Sequence, residues 1–258
     1  MDDEVSAATR TLESMKRDTA FDLIESANAL PAPDGLALVL HAARMAPEIG
    51  EIYAAAADQM RADSDEALLL WLAAKGMASM LARSRLEELD GHAWDHLDCR
   101  PFIRASIGYA RCCFRRGEHD TAITELEQLL KYDRADHAGV RYLLAVILLA
   151  APRFKRFESL RGEFTSDGKA FWLWLDAYHA IRTNRRSAER KACVDRALEA
   201  NPHVLPLLNS DQALNERKVE YYQIGSFEEA YAFAASEGGR LWRMDWRTLG
   251  ALNRHRRS

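Results

Sequence analysis

The chain is short of glycine and proline, sparse in β-branched residues, and without a long apolar run. Only 13 glycines and 7 prolines occur in 258 residues, too few turn formers for a many-stranded β fold with frequent reversals. The longest apolar stretch, Leu143 to Ala151, is about half the roughly 20 residues that span a bilayer, so it reads as a buried helix. Cysteine is scarce as well. Cys99, Cys112, Cys113 and Cys193 form no C-x-x-C pair, and neighbours such as Cys112 and Cys113 rarely bridge each other, which fits a reducing compartment. The opening MDDEVSAATR is acidic and polar where a signal peptide would be basic and then apolar. A cytoplasmic setting is therefore expected. No G-x-x-x-x-G-K-[ST], G-x-G-x-x-G or G-x-S-x-G motif is present, which leaves nucleotide binding and hydrolase chemistry without support.

What is abundant points to helices. Hydrophobic residues make up 48% and charged residues 29% of the chain, as in folded proteins, and Ala and Leu dominate the apolar set. The net charge of −4 gives no general attraction to nucleic acid or anionic lipid. The charge is uneven: Arg240 to Ser258 holds six arginines against one aspartate, a local +5 that leaves −9 on the preceding 239 residues. Such a tail usually reads as a solvated terminus. If it bound nucleic acid instead, binding would depend steeply on salt and be lost on deleting Arg254 to Ser258.

Helical periodicity runs through most of the sequence. Phe21, Leu23, Ile24, Ala27 and Leu30 mark one apolar face, and Leu36, Val39, Leu40 and Ala43 the next, ending at Pro47. A helix follows from about Glu48 to Arg61. Asp63-Ser64-Asp65-Glu66 offers N-cap chemistry for another, with Leu69, Leu72, Ala73 and Met77 expected on its inner side. Glu87 to Arg100 is turn-rich and reads as the one longer connection. Around Gly117, Ala110 and Ala122 stand twelve residues apart, the spacing that lets two paired helices approach closely. Ile103 to Asp136, with Leu126 and Leu129, has the layout of a tetratricopeptide hairpin. A 34-residue step reaches His137 to Ala170, with Leu144 and Leu160 in register, and another reaches Phe171 to about Val204, closed by ALEANP. Ala55 and Ala67 repeat the twelve-residue spacing upstream. The repeats are degenerate: Arg134 stands where proline is usual and Arg156 where a small residue is usual.

Beyond Pro206 the pattern changes. Asn209 to Tyr222 is polar and reads as irregular. Ser226-Phe227-Glu228-Glu229 is a capping box for a short helix expected to stop at Gly238-Gly239, with Leu241, Trp242, Trp246 and Leu249 forming a final amphipathic turn. A solenoid needs its terminal core covered, so this end reads as a cap. The expected fold is all-α: antiparallel helical hairpins stacked as a right-handed tetratricopeptide-like solenoid with a C-terminal helical cap. The expected regions are 1–90, degenerate hairpins; 91–204, core hairpins; and 205–258, cap and basic tail, together forming one continuous structural unit.

GHAWDHLDCRPFIRASIGYARC at Gly91 to Cys112 and DHAGVRYLLAVILL at Asp136 to Leu149 carry a family resemblance, joined by NPHV at Asn201 to Val204 and EYYQIGSFEEAYAFA at Glu220 to Ala234. These stretches resemble the bacterial relatives of the suppressor of tumorigenicity 7 protein, in order, from Gly91 to Trp242. Cys99 and His137 depart from the pattern, and the membrane segments of the animal members are missing. The resemblance implies a tetratricopeptide fold and protein binding, and brings no catalytic residues.

Three sets of residues are candidates for function. His92, His96 and Cys99, with Asp95, have zinc-ligand chemistry, but no H-E-x-x-H or second cluster accompanies them; they carry the alternative reading of a metal protein or enzyme. Cys112 and Cys113 have Arg111, Arg115 and Arg116 nearby, which could lower a thiol pKa; burial of one thiol in the hairpin core is the plainer expectation. The third set is a groove. If the first helix of each hairpin lines a concave face, that face holds Arg104, Ile107, Arg111 and Arg115, then Arg141, Tyr142, Ala145 and Leu148, then Trp172, Asp176, His179 and Arg182. Of these, Arg104, Arg111, Arg115, Arg141, Tyr142, Trp172, His179 and Arg182 are the expected partner-binding residues. Guanidinium forks bind carboxylates and aromatic faces hold apolar groups, which suits a protein or peptide with an acidic segment or a C-terminal carboxylate. The competing reading pairs these arginines with Asp and Glu of adjacent helices. Neither a cofactor nor a metal is expected, and nucleic acid and membrane are not expected partners. Reversing Arg111 or Arg141 to glutamate should abolish capture of a partner and leave melting unchanged.

Overall fold

The computed structural model describes residues 2–31, 33–183, 186–210, 214 and 222–255, without the side chains of residues 2–8, 81 and 187. Most of the expected irregular stretch from Asn209 to Tyr222, and the tail end 256–258, lie outside the described residues. Among the described residues the structure is helical with no strand; the one β-like contact is an isolated bridge between His92 and Asp133. The chain divides into two compact units, Met1–Val140 and Arg141–Ser258. The boundary between the units falls inside the stretch 91–204.

The first unit holds α1 (Asp2–Asn28), α2 (Asp34–Met45), α3 (Gly50–Asp58), α4 (Asp65–Glu88), α5 (Arg100–Arg115) and α6 (His119–Tyr132). Successive helices pack as α1 on α2, α3 on α4, α4 on α5, and α5 on α6. Ser64 caps α4 by accepting from the Ala67 amide at 3.1 Å, as its sequence context predicts. The α5–α6 turn closes on Gly117, whose φ of +83° suits glycine. The Gly117 amide donates to Phe114 O and the Glu118 amide to Cys113 O, the paired bonds of a Schellman cap. Ala110 and Ala122 are fully buried on either side, with Leu126 and Leu129 in the same core.

Three of the expected apolar faces need correction. On α4 the buried side is Ala67, Ala74, Ala78 and Ala82, while Leu69 and Leu72 are exposed. On α1, Ala20, Ile24 and Ala27 are buried but Phe21 is exposed, as is Leu30 just beyond the helix; on α2, Val39 and Ala42 are buried and Leu40 is not. The reason is shared. Helices that approach closely place small residues at the seam, so the alanine stripe faces inward and the leucines are displaced. The Trp71 ring covers Gly108 of α5 so closely that a Cβ there would run into it.

The second unit holds α8 (Phe154–Glu163), α9 (Ala170–Arg182), α10 (Ser187–Ala200), α11 (Val204–Leu208), α12 (Phe227–Ala235), α13 (Glu237–Met244) and α14 (Trp246–His255); α7 (Val140–Ala150) begins at the boundary. Helix α9 is its hub. Trp172 lies against Phe157 of α8 and Tyr142 of α7, and Trp174 meets Phe233 of α12 and Trp242 of α13. Trp242 Nε1 donates to Trp174 O at 3.3 Å.

Gly238 and Gly239 do not stop a helix. Helix α12 ends at Ala235, Ser236 caps the next helix by accepting from the Gly238 amide at 3.1 Å, and both glycines lie in the first turn of α13. Their role is closeness: a Cβ on Gly239 would overlap the backbone of Ala234, and one on Gly238 would sit 2.7 Å from the Phe233 ring. Trp246 is exposed and does not join the cap's core. Gly239→Ala should lower stability by about 3 kcal/mol, because the obstacle is backbone; urea denaturation of the two proteins would measure it.

Candidate functional site: the basic face of α5

Helix α5 is strongly amphipathic. Phe102, Ile103, Ala105, Ser106, Ala110, Cys112 and Cys113 face inward, which leaves Arg104, Arg111 and, one turn on, Arg115 along the opposite side. Pro101 opens the helix in its first turn, where a missing amide costs nothing. Arg104 and Arg111 are exposed and neither has a carboxylate partner among the described residues. Arg115 is half-buried.

The N-terminal end of this face carries an aromatic cluster. The Arg100 guanidinium lies 5.2 Å and that of Arg104 6.0 Å from the Trp94 ring centre, and Arg100 Nε donates to Trp94 O at 2.9 Å. His137 stacks on Trp94, with ring centres 6.5 Å apart and planes 11° from parallel. Its Nδ1 is 2.8 Å from Asp133 Oδ1, and its amide donates to Asp133 Oδ2 at 2.8 Å. The two 3₁₀ turns at Ala93–Asp95 and Leu97–Cys99 present Trp94. They are pinned to the end of α6 by the His92–Asp133 bridge, by Arg134 N donating to Gly91 O at 2.9 Å, and by the Arg134–Asp90 ion pair at 2.7 Å. Sequence reasoning placed Trp94 and His137 in family motifs and did not join them to the arginines. The available signal was Arg100 four residues before Arg104, one helical turn on the same face.

The remaining expected residues lie in the second unit and do not form an open basic row. Arg141 is paired with Asp167 at 2.9 Å, and Tyr142 donates to the same carboxylate at 2.6 Å. Arg182 meets Asp245 at 3.4 Å, and Asp176 is paired with Arg161 at 3.0 Å. Trp172 is fully buried, which corrects its expected place on a groove surface. His179 is buried between Phe154 and Phe157, with Nε2 3.7 Å from Glu158 Oε1. It borders a cleft of about 440 Å³ with Arg161, Asp176, Cys193 and Arg196. The acids and bases of this cleft largely offset one another.

Cys99, Cys112 and Cys113 are buried. Burial pushes the Cys112 thiol up, outweighing the opposite pull of Arg116, and carries Cys113 to about 11. Burial likewise raises Cys99. His92 is exposed and lies 3.6 Å from Asp95. Among the described residues no three His, Cys, Asp or Glu side chains are placed to hold a metal ion, and no helix is long and apolar enough to cross a membrane.

The fold thus defines a class: an all-α protein of paired helices in two units. Comparison of the chain with protein-family models, curated proteins and solved structures gives no match.

Proposed function

We propose that the chain is a non-catalytic, tetratricopeptide-like binding module whose α5 face holds a protein or peptide through an acidic segment or a C-terminal carboxylate. The observation that carries this reading is the contrast between two sets of arginines. Arg141, Arg161 and Arg182 are each engaged by an aspartate, whereas Arg104 and Arg111 share one exposed helix face with no carboxylate partner among the described residues. Two unpaired guanidinium groups about seven residues apart, roughly 10 Å along the helix, match the spacing of acidic side chains on an extended peptide. Trp94 lies beside Arg104, its ring centre 6.0 Å from that guanidinium. An adaptor role in the cytoplasm belongs to this proposal, and the four free cysteines are compatible with it.

A fluorescently labelled Asp/Glu-rich peptide, free or amidated at its C-terminus, provides the test. Each charge-assisted bond contributes about 1.5–3 kcal/mol, so Arg104→Glu and Arg111→Glu should each weaken binding at least tenfold, with the helical circular-dichroism signal unchanged. If the amidated peptide binds as well as the free one, the acidic side chains rather than the terminus are held. Equal binding by both variants and the wild-type chain, or no binding by the wild type, refutes the proposal.

A further inference from the structure

Helix α4 is apolar on two opposite sides. Its alanine side packs inward, yet Leu69 is 66%, Leu72 42% and Met80 79% exposed. By helical phase these three lie on one outward stripe with Gly76 between Leu72 and Met80. Glycine inside a helix costs roughly 0.5–1 kcal/mol against alanine. Among the described residues nothing in the chain's own packing requires it, because a Cβ at Gly76 would meet no described atom within 4 Å. A bare backbone in the middle of an exposed apolar stripe lets another helix come close.

We infer that this stripe is a self-complementary interface, on which a second copy of the chain packs its own α4 antiparallel across a two-fold axis at Gly76. The spacing is symmetric about that residue. Four residues to either side stand Leu72 and Met80, and seven to either side Leu69 and Arg83. A two-fold axis therefore sets Leu72 against the other copy's Met80, and Leu69 against its Arg83. Glu66, one turn before Leu69, comes within reach of that same arginine. Glu66 and Arg83 are exposed and have no ion-pair partner among the described residues, so the charges at the two ends of the stripe are complementary in this arrangement. Glu87 of the other copy lies near both Asp65 and Glu66 in this arrangement; Asp65 is already held by Arg116 at 2.8 Å, and Glu66 has Arg83 on its other side. An interface built on one helix pair is small, so a dissociation constant on the order of micromolar is expected.

Sedimentation equilibrium of the full chain between about 1 and 200 µM tests this, because that range brackets a micromolar constant. The wild type should shift from monomer to dimer, and Met80→Glu should raise the dissociation constant at least about tenfold. Glu66→Arg and Arg83→Glu should each weaken the dimer, while the double variant Glu66→Arg/Arg83→Glu should restore it. A wild type that stays monomeric, a dimer indifferent to Met80→Glu, or a charge swap that fails to restore association each overturns the inference.

Discussion

Arg141→Glu, which the sequence alone predicts to leave melting unchanged, is instead expected to destabilise the second unit severely, by about 3–5 kcal/mol, because Arg141 is spent on Asp167. Arg141 reaches the single oxygen Asp167 Oδ2 through Nε at 3.1 Å and Nη2 at 2.9 Å, and the Tyr142 hydroxyl donates to the same oxygen at 2.6 Å. Asp167 Oδ1 accepts from the Lys169 amide at 3.2 Å, in the turn that leads into α9. The guanidinium also lies over the Tyr142 and Phe164 rings. The pair is 14% and 10% exposed, so reversing the cation leaves two buried carboxylates facing each other. Lysine should recover only part of the loss, because it lacks the planar fork. Urea denaturation followed by tryptophan fluorescence reads this unit, which contains Trp172, Trp174 and Trp242. An unchanged midpoint would show the pair to be dispensable.

The same network has a pH signature. Burial alone pushes Asp167 up, but the Tyr142 hydroxyl, the Lys169 amide and Arg141 together hold it below the usual carboxylate range. In Asp245 burial is likewise outweighed, by Thr248, Tyr178 and Arg182. A carboxyl lowered by folding contributes stability that is fully present above its unfolded pKa of about 3.9 and lost as pH falls through the folded value. The unit should therefore weaken from about pH 4 downward. Asp167→Asn should be less stable at neutral pH and show a shallower acid loss.

Glu229→Ala should cost a similar amount, about 3–5 kcal/mol, by leaving buried donors without an acceptor. Glu229 is fully buried. It accepts from the Gly225 amide at 2.7 Å, Asn201 Nδ2 at 3.0 Å and the Ala170 amide at 3.1 Å. These donors belong to the turn before α12, the end of α10 and the start of α9, so one carboxylate ties three segments together. Glu229→Gln should be almost as damaging, since its amide nitrogen presents hydrogens to groups that already donate. A Gln variant as stable as the wild type would contradict this account.

The capping box around Ser226 shows how far local reading extends. Its hydroxyl does accept from the Glu229 amide, at 3.2 Å, as the four-residue pattern predicts. The carboxylate, however, reaches the amide of Gly225 rather than that of Ser226, and its bonds to Asn201 and Ala170 span 28 and 59 residues. The ALEANP ending and the capping box were both legible; their coupling was not. The arginines behave likewise. A helical wheel places Arg104, Arg111 and Arg141 alike, yet only tertiary packing brings Asp167 to Arg141 and leaves the other two without an acid among the described residues.

What the sequence determines by itself is helix, turn and cap: a scarcity of turn formers and β-branched residues, alanines twelve apart around a glycine, and side-chain oxygens at helix starts act within a few residues. What only the tertiary structure decides is which face of each helix is inside and which charges are spent. Leu69 was expected inside and Ala74 is there instead, because close approach of two backbones favours small residues over apolar bulk. Gly239 has the composition of a stop signal, but it serves as a contact with Ala234. Those outcomes depend on segments distant in sequence, whose positions local periodicity does not specify.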